Sequence, residues 1–463
     1  EALGAIMLVK REMRVMTKDM TVGNPLRLIL SFSIPLIFGN IFQQLYNMAD
    51  SIIVGRVIGL NALTAVGASS AIIFLIVGFT IGTCSGLGIP IALQFGAKDY
   101  KRMRMFVYNS AYLAVVLAII ITAVTSFLCD DLLRMMKTPQ EIFDDAYKYM
   151  LVICLGIPFT FLYNTCSAII RALGDSRTPF YFLLLSTIVN IVLDLFFILV
   201  LHTGVEGAAL ATILAQGLSG VICFWYMKKR YEILQGKPEE RAPDKICLRT
   251  LLFNSVPMGL QSSVTAIGSI MLQSAVNMLD AVYVSAYAAV MKVNQLSMCP
   301  YEAVATACAT MGGQNLGAGK LDRIKKGLYS GIGICFMYSI LIGIVLVTSG
   351  SVIAWLFIDR NETAVLGAVQ QYFGYAGFFF WLLAILNCTR MTIQGLGYSG
   401  IAIFAGCAEL LARAVMSLFV IPVFGYTAVC FTNPLAWLAA VLVVVPVFFG
   451  IIRKYERQVK IRG

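Results

Sequence analysis

The sequence predicts an all-α membrane protein of twelve transmembrane helices in two six-helix lobes. The lobes are related by a parallel repeat, a pseudo-two-fold along the membrane normal. Three observations predict this. First, 59% of the 463 residues are hydrophobic and only 13% are charged, whereas a soluble domain carries about 25% charged residues. Second, apolar segments run at 32–56, 62–93, 106–128, 146–171, 178–201, 206–227, 251–279, 281–315, 326–347, 366–394, 399–422 and 427–452. They are too long and too uniform for surface helices or alternating barrel strands, and a rise of ~1.5 Å per residue lets each cross a bilayer core. Third, the halves repeat: "RALGDSRTPFYFLLLSTIVNIVLDLFFI" from Arg171 aligns without a gap on "QGLGYSGIAIFAGCAELLARAVMSLFVI" from Gln394. Repeats of like orientation in a membrane protein are a carrier architecture with the substrate site between the halves.

Charge divides the chain. Residues 1–27 read as a cytoplasmic N-terminal segment, 28–227 as an N-lobe of helices one to six, and 228–250 as a polar cytoplasmic inter-lobe loop. Residues 251–452 read as a C-lobe of helices seven to twelve and 453–463 as a cytoplasmic tail. With the N-terminus inside, 28 of the 35 Lys and Arg fall on the inner side, Arg171 and Arg390 among them, and five on the outer side. That bias is the positive-inside rule, and a missed helix would scramble it. The expected location is a prokaryotic plasma (inner) membrane, multi-pass, with both termini cytoplasmic. The net charge of +11 reports this orientation and needs no nucleic acid as partner; the partners expected are the lipid bilayer and small molecules, around a monomer.

Catalysis has little to work with. The 12 cysteines are scattered without a C-x-x-C pair, and His202 is the single histidine. No metal spacing and no nucleophile–base pair is visible. "GLGYSG" at 395–400 fits the dinucleotide pattern letter for letter, but no strand precedes it and its repeat partner "ALGDSR" lacks two of the glycines, so it reads as a tight turn. No enzyme, cofactor or metal is expected, and energy is expected from an ion gradient.

The chemistry lies in polar stripes within the helices. Asn40, Gln43, Asn47 and Asp50 are spaced by 3, 4 and 3, so they share one face of helix one, with Tyr46 one turn before Asp50. The run before Asp50 is free of charge for 22 residues, and a carboxylate near a bilayer centre costs roughly 2.5–3.5 kcal/mol. Ser186, Asn190 and Asp194 form a second stripe on helix five. Gln261, Thr265, Ser269, Gln273 and Asn277 form a third on helix seven. The repeat places Glu409, Arg413 and Ser417 opposite Ser186, Asn190 and Asp194. Glu409 and Arg413, at i, i+4, read as a structural ion pair. Asp50 and Asp194 have no basic neighbour in sequence. An unpaired carboxylate out of water favours its protonated form, which suits a site that binds protons or cations. Lys292 is the other lone charge; it pairs across a cavity or snorkels.

These residues resemble the multidrug and toxic compound extrusion (MATE) transporters over about 22–452, most specifically in "MADSIIVG", "RALGDSRTP" and "NIVLDLFF". The resemblance implies two lobes around a cavity and export of amphiphilic, often cationic compounds against protons or sodium. It carries the proton-linked cluster onto Tyr46, Asp50, Asn190, Asp194 and Thr212. It suggests Gln43, Asn47, Asn164, Gln261 and Gln273 as cavity residues. The acids of the sodium-linked branch, on helices seven and ten, are replaced by uncharged residues near Gln261 and Leu383. Sodium at Asp50 and Asp194 stays an alternative, since carboxylates and amides also ligate hard cations. A lipid-linked oligosaccharide flippase of the same superfamily and a non-transporting receptor or channel are the rival readings.

Overall fold

The computed structural model describes residues 17–136 and 138–462, without the side chains of 51, 52, 56, 60 and 459–462. Residues 1–16 of the N-terminal segment, Lys137 and Gly463 lie outside this description.

Among the described residues the chain is helical throughout and contains no strand. The N-lobe is built from α1 (Pro25–Ile53), α2 (Leu60–Gly96), α3 (Tyr100–Phe127), the short α4 (Cys129–Met135), α5 (Gln140–Leu155), α6 (Ile157–Ala172), α7 (Arg177–Leu195) and α8 (Gly204–Arg230). The C-lobe is built from α9 (Lys245–Val276), α10 (Ala281–Gly317), α11 (Leu321–Ala354), α12 (Thr363–Ala376), α13 (Phe380–Gly395), α14 (Ser399–Val415), the one-turn α15 (Ile421–Phe424) and α16 (Tyr426–Arg462). Nine spans are long and apolar enough to cross a membrane, or ten when α5 and α6, which meet at a 43° bend, count as one. The long helices α9 and α10 complete the twelve. Each also packs on the other lobe, and the polar residues on those faces lower its mean hydropathy. The lipid-side faces are apolar, with Ile119 and Phe127 of α3 exposed.

Two turns explain the repeat motif. Gly174 and Gly397, which are 223 residues apart, both have positive φ (84° and 87°), open to glycine at little steric cost. After Gly174, Asp175 caps α7: its Oδ1 accepts from the Arg177 and Thr178 amides at 2.8 and 3.1 Å, and its Oδ2 accepts from Thr178 Oγ1 and the Tyr231 hydroxyl at 2.7 and 2.6 Å. "GLGYSG" is thus the turn between α13 and α14.

The lobes meet along α2 and α9, and along α10 with α1 and α2. The first half of α1 (Leu28, Ile29, Phe32, Leu36) belongs to the C-lobe core, whereas its later part packs on α7. At the end of the bundle that carries the basic loops, the backbones nearly touch. A Cβ on Gly96 would lie 1.9 Å from the Gln314 carbonyl oxygen, and one on Gly317 would lie 1.9 Å from that of Leu93. Along α2 the approach then loosens: the nearest atom to such a Cβ is Ser255 Cα at 2.4 Å for Gly86, Met258 O at 2.6 Å for Gly82 and Ser262 Cβ at 3.8 Å for Gly78, and nothing lies within 4 Å of Gly67. The interface is a wedge, closed at the basic end.

Residues 18–23 strap the closed end. The Lys18 amide donates to Leu173 O at 3.0 Å, on the N-lobe. The Met20 amide donates to Gln314 Oε1 at 2.8 Å, and Asn315 Nδ2 donates to Met20 O at 3.1 Å. Lys320 Nζ and Arg323 Nη1 donate to the Thr21 and Gly23 carbonyls, both at 2.9 Å. Gln314 Nε2 also reaches Ala172 O at 2.9 Å, which ties α10 to α6 across the lobes.

Candidate functional site

The N-lobe encloses a cavity of about 180 Å3 between α1, α2, α6, α7 and α8. The stripes converge here, because α1 and α7 pack side by side and turn their polar faces toward α8. Gln43, Tyr46, Asn164, Asn190 and Thr212 all line it, with Asn40, Thr160 and Gln216. Thr212 is the hub. Its Oγ1 lies 2.8 Å from the Tyr46 hydroxyl and accepts from Asn190 Nδ2 at 3.3 Å. On the cavity wall Thr160 Oγ1 donates to Gln216 Oε1 at 2.7 Å and Asn164 Nδ2 to Thr160 O at 2.8 Å.

Asp50 and Asp194 lie behind this layer and do not line the cavity. Asp194 is 0% exposed and Asp50 9%. Both oxygens of Asp194, one of Asp50 and the Asn190 Oδ1 have no hydrogen-bond partner. Among the described residues no Lys, Arg or His lies within 4.0 Å of either acid. Tyr46 and Tyr149 are within electrostatic reach of both. Orphaned carboxylate oxygens sealed from water are costly in the charged state and much less so when protonated. Each acid is also followed directly by a wide turn of π-helix, Val54–Ile58 after α1 and Phe196–Val200 after α7; such turns recur at functional sites.

The other suggested cavity residues lie elsewhere. Asn47 is exposed and donates to Gln44 Oε1 at 3.2 Å. Gln273 bonds Asn277 at 2.8 Å near the end of α9, and the two simply link one turn of the stripe to the next. Gln261 is buried in the C-lobe, against Gln394 and Arg390.

In the C-lobe Glu409 and Arg413 are paired at 3.3 Å, yet the closer partner of Glu409 is Arg390, at 2.9 Å. Arg390, counted among the inner-side charges although the segment 366–394 contains it, sits within α13 with its side chain 16% exposed and held by Glu409. Glu409 is therefore shared by two guanidiniums. Arg413 Nε also donates to Asn433 Oδ1 at 3.3 Å.

Sequence reasoning missed Tyr149, Thr160, Gln216 and Arg171. Thr160 and Gln216 each lie one turn from a suggested residue, Asn164 and Thr212, and spacing by four was the signal that could have found them. Arg171 counts in the sequence only as an inner-side charge at the end of its segment, but it lines the cavity from the last turn of α6.

The sequence profile of the MatE family matches residues 35–196 and again 257–419. The chain belongs to the MatE family. The double match, offset by 222 residues at its start, is the repeat seen in the two halves. This MatE protein is 31% identical to the probable multidrug resistance protein YpnP of Bacillus subtilis (strain 168) over 367 residues, which cover 79% of this chain and 82% of that one. Its fold is that of a MATE crystal structure in complex with MaL6 (TM-score 0.88, 22% identity, 95% and 99% of the two chains covered). It is also that of an outward-facing multidrug resistance MATE family transporter of the MOP superfamily (TM-score 0.87, 24% identity, 95% and 98% covered).

Proposed function

We propose that this MatE protein is a multi-pass carrier that exports amphiphilic organic cations by antiport against protons. It makes and breaks no covalent bond in the cargo. The observation that carries this reading is the pair of sealed acids, Asp50 and Asp194, behind the hydrogen-bonded layer of Tyr46, Thr212 and Asn190 that lines the cavity. With the acids ionised, their negative potential reaches the cavity through that thin polar layer and holds a cation. A proton that enters from the outer side neutralises the site, frees the Asn190 and Tyr46 hydrogen bonds to rearrange, and weakens the cation. The two ligands compete through one charge, so the coupling is reciprocal. The closed basic end corresponds to the cytoplasmic side, as the placement of Lys and Arg requires, and the wedge is the state that releases cargo outward.

The test is ethidium efflux from proteoliposomes under imposed proton or sodium gradients, with wild type, Asp50→Asn and Asp194→Asn. Proton-driven efflux that both variants lose is the expected outcome. Efflux driven by sodium alone replaces the proton with sodium at the same acids. Efflux kept in both variants refutes their coupling role.

A further inference from the structure

We propose that Arg171 seats an anionic group of the cargo, so that the compounds this carrier handles best are amphoteric, with a carboxylate or similar anion beside the cationic centre. The proposal rests on the export reading above.

Among the described residues Arg171 is the only charged one that lines the first-lobe cavity. It also lines a second space of about 200 Å3, the crevice between the lobes, where α2 and α6 face α10 and α13. The guanidinium is thus shared by both spaces through which cargo passes. Among the described residues it has no carboxylate within 4.0 Å and donates no hydrogen bond, whereas the half-buried Arg104 pairs with Glu240, and both Arg390 and Arg413 pair with Glu409. The nearest acid in sequence, Asp175, is committed: its oxygens cap α7 and hold Thr178 and Tyr231.

The fold does not demand this charge. The repeat-equivalent position in the C-lobe is Gln394, an uncharged amide facing the same crevice. An arginine that no described carboxylate neutralises, lining a cavity, presents a planar fork matched to a carboxylate or phosphate. On the opposite wall Glu302 of α10 is open to the crevice and likewise has no ion-pair partner among the described residues. One unpaired cation and one unpaired anion on facing lobes make a seat for a molecule that carries both signs.

The experiment compares two dyes of one ring system: a rhodamine with a free benzoate carboxylate, and its methyl ester, which is a cation only. Binding to purified protein is read by fluorescence polarisation for wild type, Arg171→Gln and Arg171→Lys. The free acid is expected to lose about tenfold or more in Kd in Arg171→Gln, and the ester less than about twofold. Arg171→Lys, a point charge without the fork, recovers part of the acid's affinity. An equal loss for both dyes, an unchanged acid affinity, or a wild type that binds no free acid overturns the proposal. Ester binding kept in Arg171→Gln shows that the variant is folded. Proton-driven efflux of the ester by wild type tests the export reading separately: if it fails while the acid still depends on Arg171, export falls and the anion seat stands.

Discussion

Adding one methyl group at the closed end will shift the balance between the two faces of the carrier. In Gly96→Ala the new Cβ would lie 1.9 Å from the Gln314 carbonyl oxygen, and contacts below 3.0 Å are essentially never seen. The ends of α2 and α10 must therefore part by about 1.1 Å, and the obstacle is backbone, which cannot swing aside. Gly317→Ala meets Leu93 O at the same 1.9 Å from the other lobe. Overpacking of this kind costs about 1–3 kcal/mol. Because the contact exists only while the basic end is closed, that cost is charged to one state and moves the equilibrium by about 5- to 150-fold. The assay is a distance distribution between spin labels at Lys101 and Lys326, near the starts of α3 and α11, with the exposed Cys407 replaced by alanine. Each variant is expected to enrich the longer distance, and the double variant more so. Distances and efflux rates like those of wild type in both variants refute the claim that this approach decides the state.

The strap predicts a companion effect: Gln314→Ala leaves the Met20 amide and the Ala172 carbonyl without their partner, at about 1–3 kcal/mol each, and the same label pair is expected to lengthen. In the C-lobe, Glu409→Gln strips two guanidiniums of their shared carboxylate; a loss of about 3–5 kcal/mol is expected in thermal unfolding, and a smaller loss than in Glu302→Gln contradicts the ion-pair reading. In the inter-lobe loop, the Arg104 guanidinium bonded to Glu240 holds its carboxyl below the usual carboxylate range. A depressed native value means that the unfolded chain binds the proton more readily, so the pair stabilises above about pH 4.5 and is lost as pH falls through the native value. Thermal unfolding of wild type relative to Glu240→Gln is expected to lose its advantage only on the acid side, and an advantage independent of pH excludes this pair as its source.

The sequence by itself determined whatever depends on local periodicity. The helix positions, the repeat and the stripes through Asp50, Asn190 and Gln261 follow from residues that share one helix, whose spacing fixes which side chains lie together. The turn at 395–400 was legible for the same reason. Only the tertiary structure decided which stripes meet. Tyr46, Asn190 and Thr212 converge because α1, α7 and α8 pack together, whereas Gln273, on an equally regular stripe, lies at the end of α9 and closes on Asn277. Arg390 and Arg171 counted as inner-side charges at the ends of apolar runs, and what each meets, Glu409 for one and a cavity for the other, came only from packing. The half of α1 that enters the C-lobe core, and the sealing of Asp194 behind a layer of amides and hydroxyls, depend on contacts between residues far apart in the chain. Burial and neutralisation are properties of such contacts, and one helix's sequence holds only its own half of each.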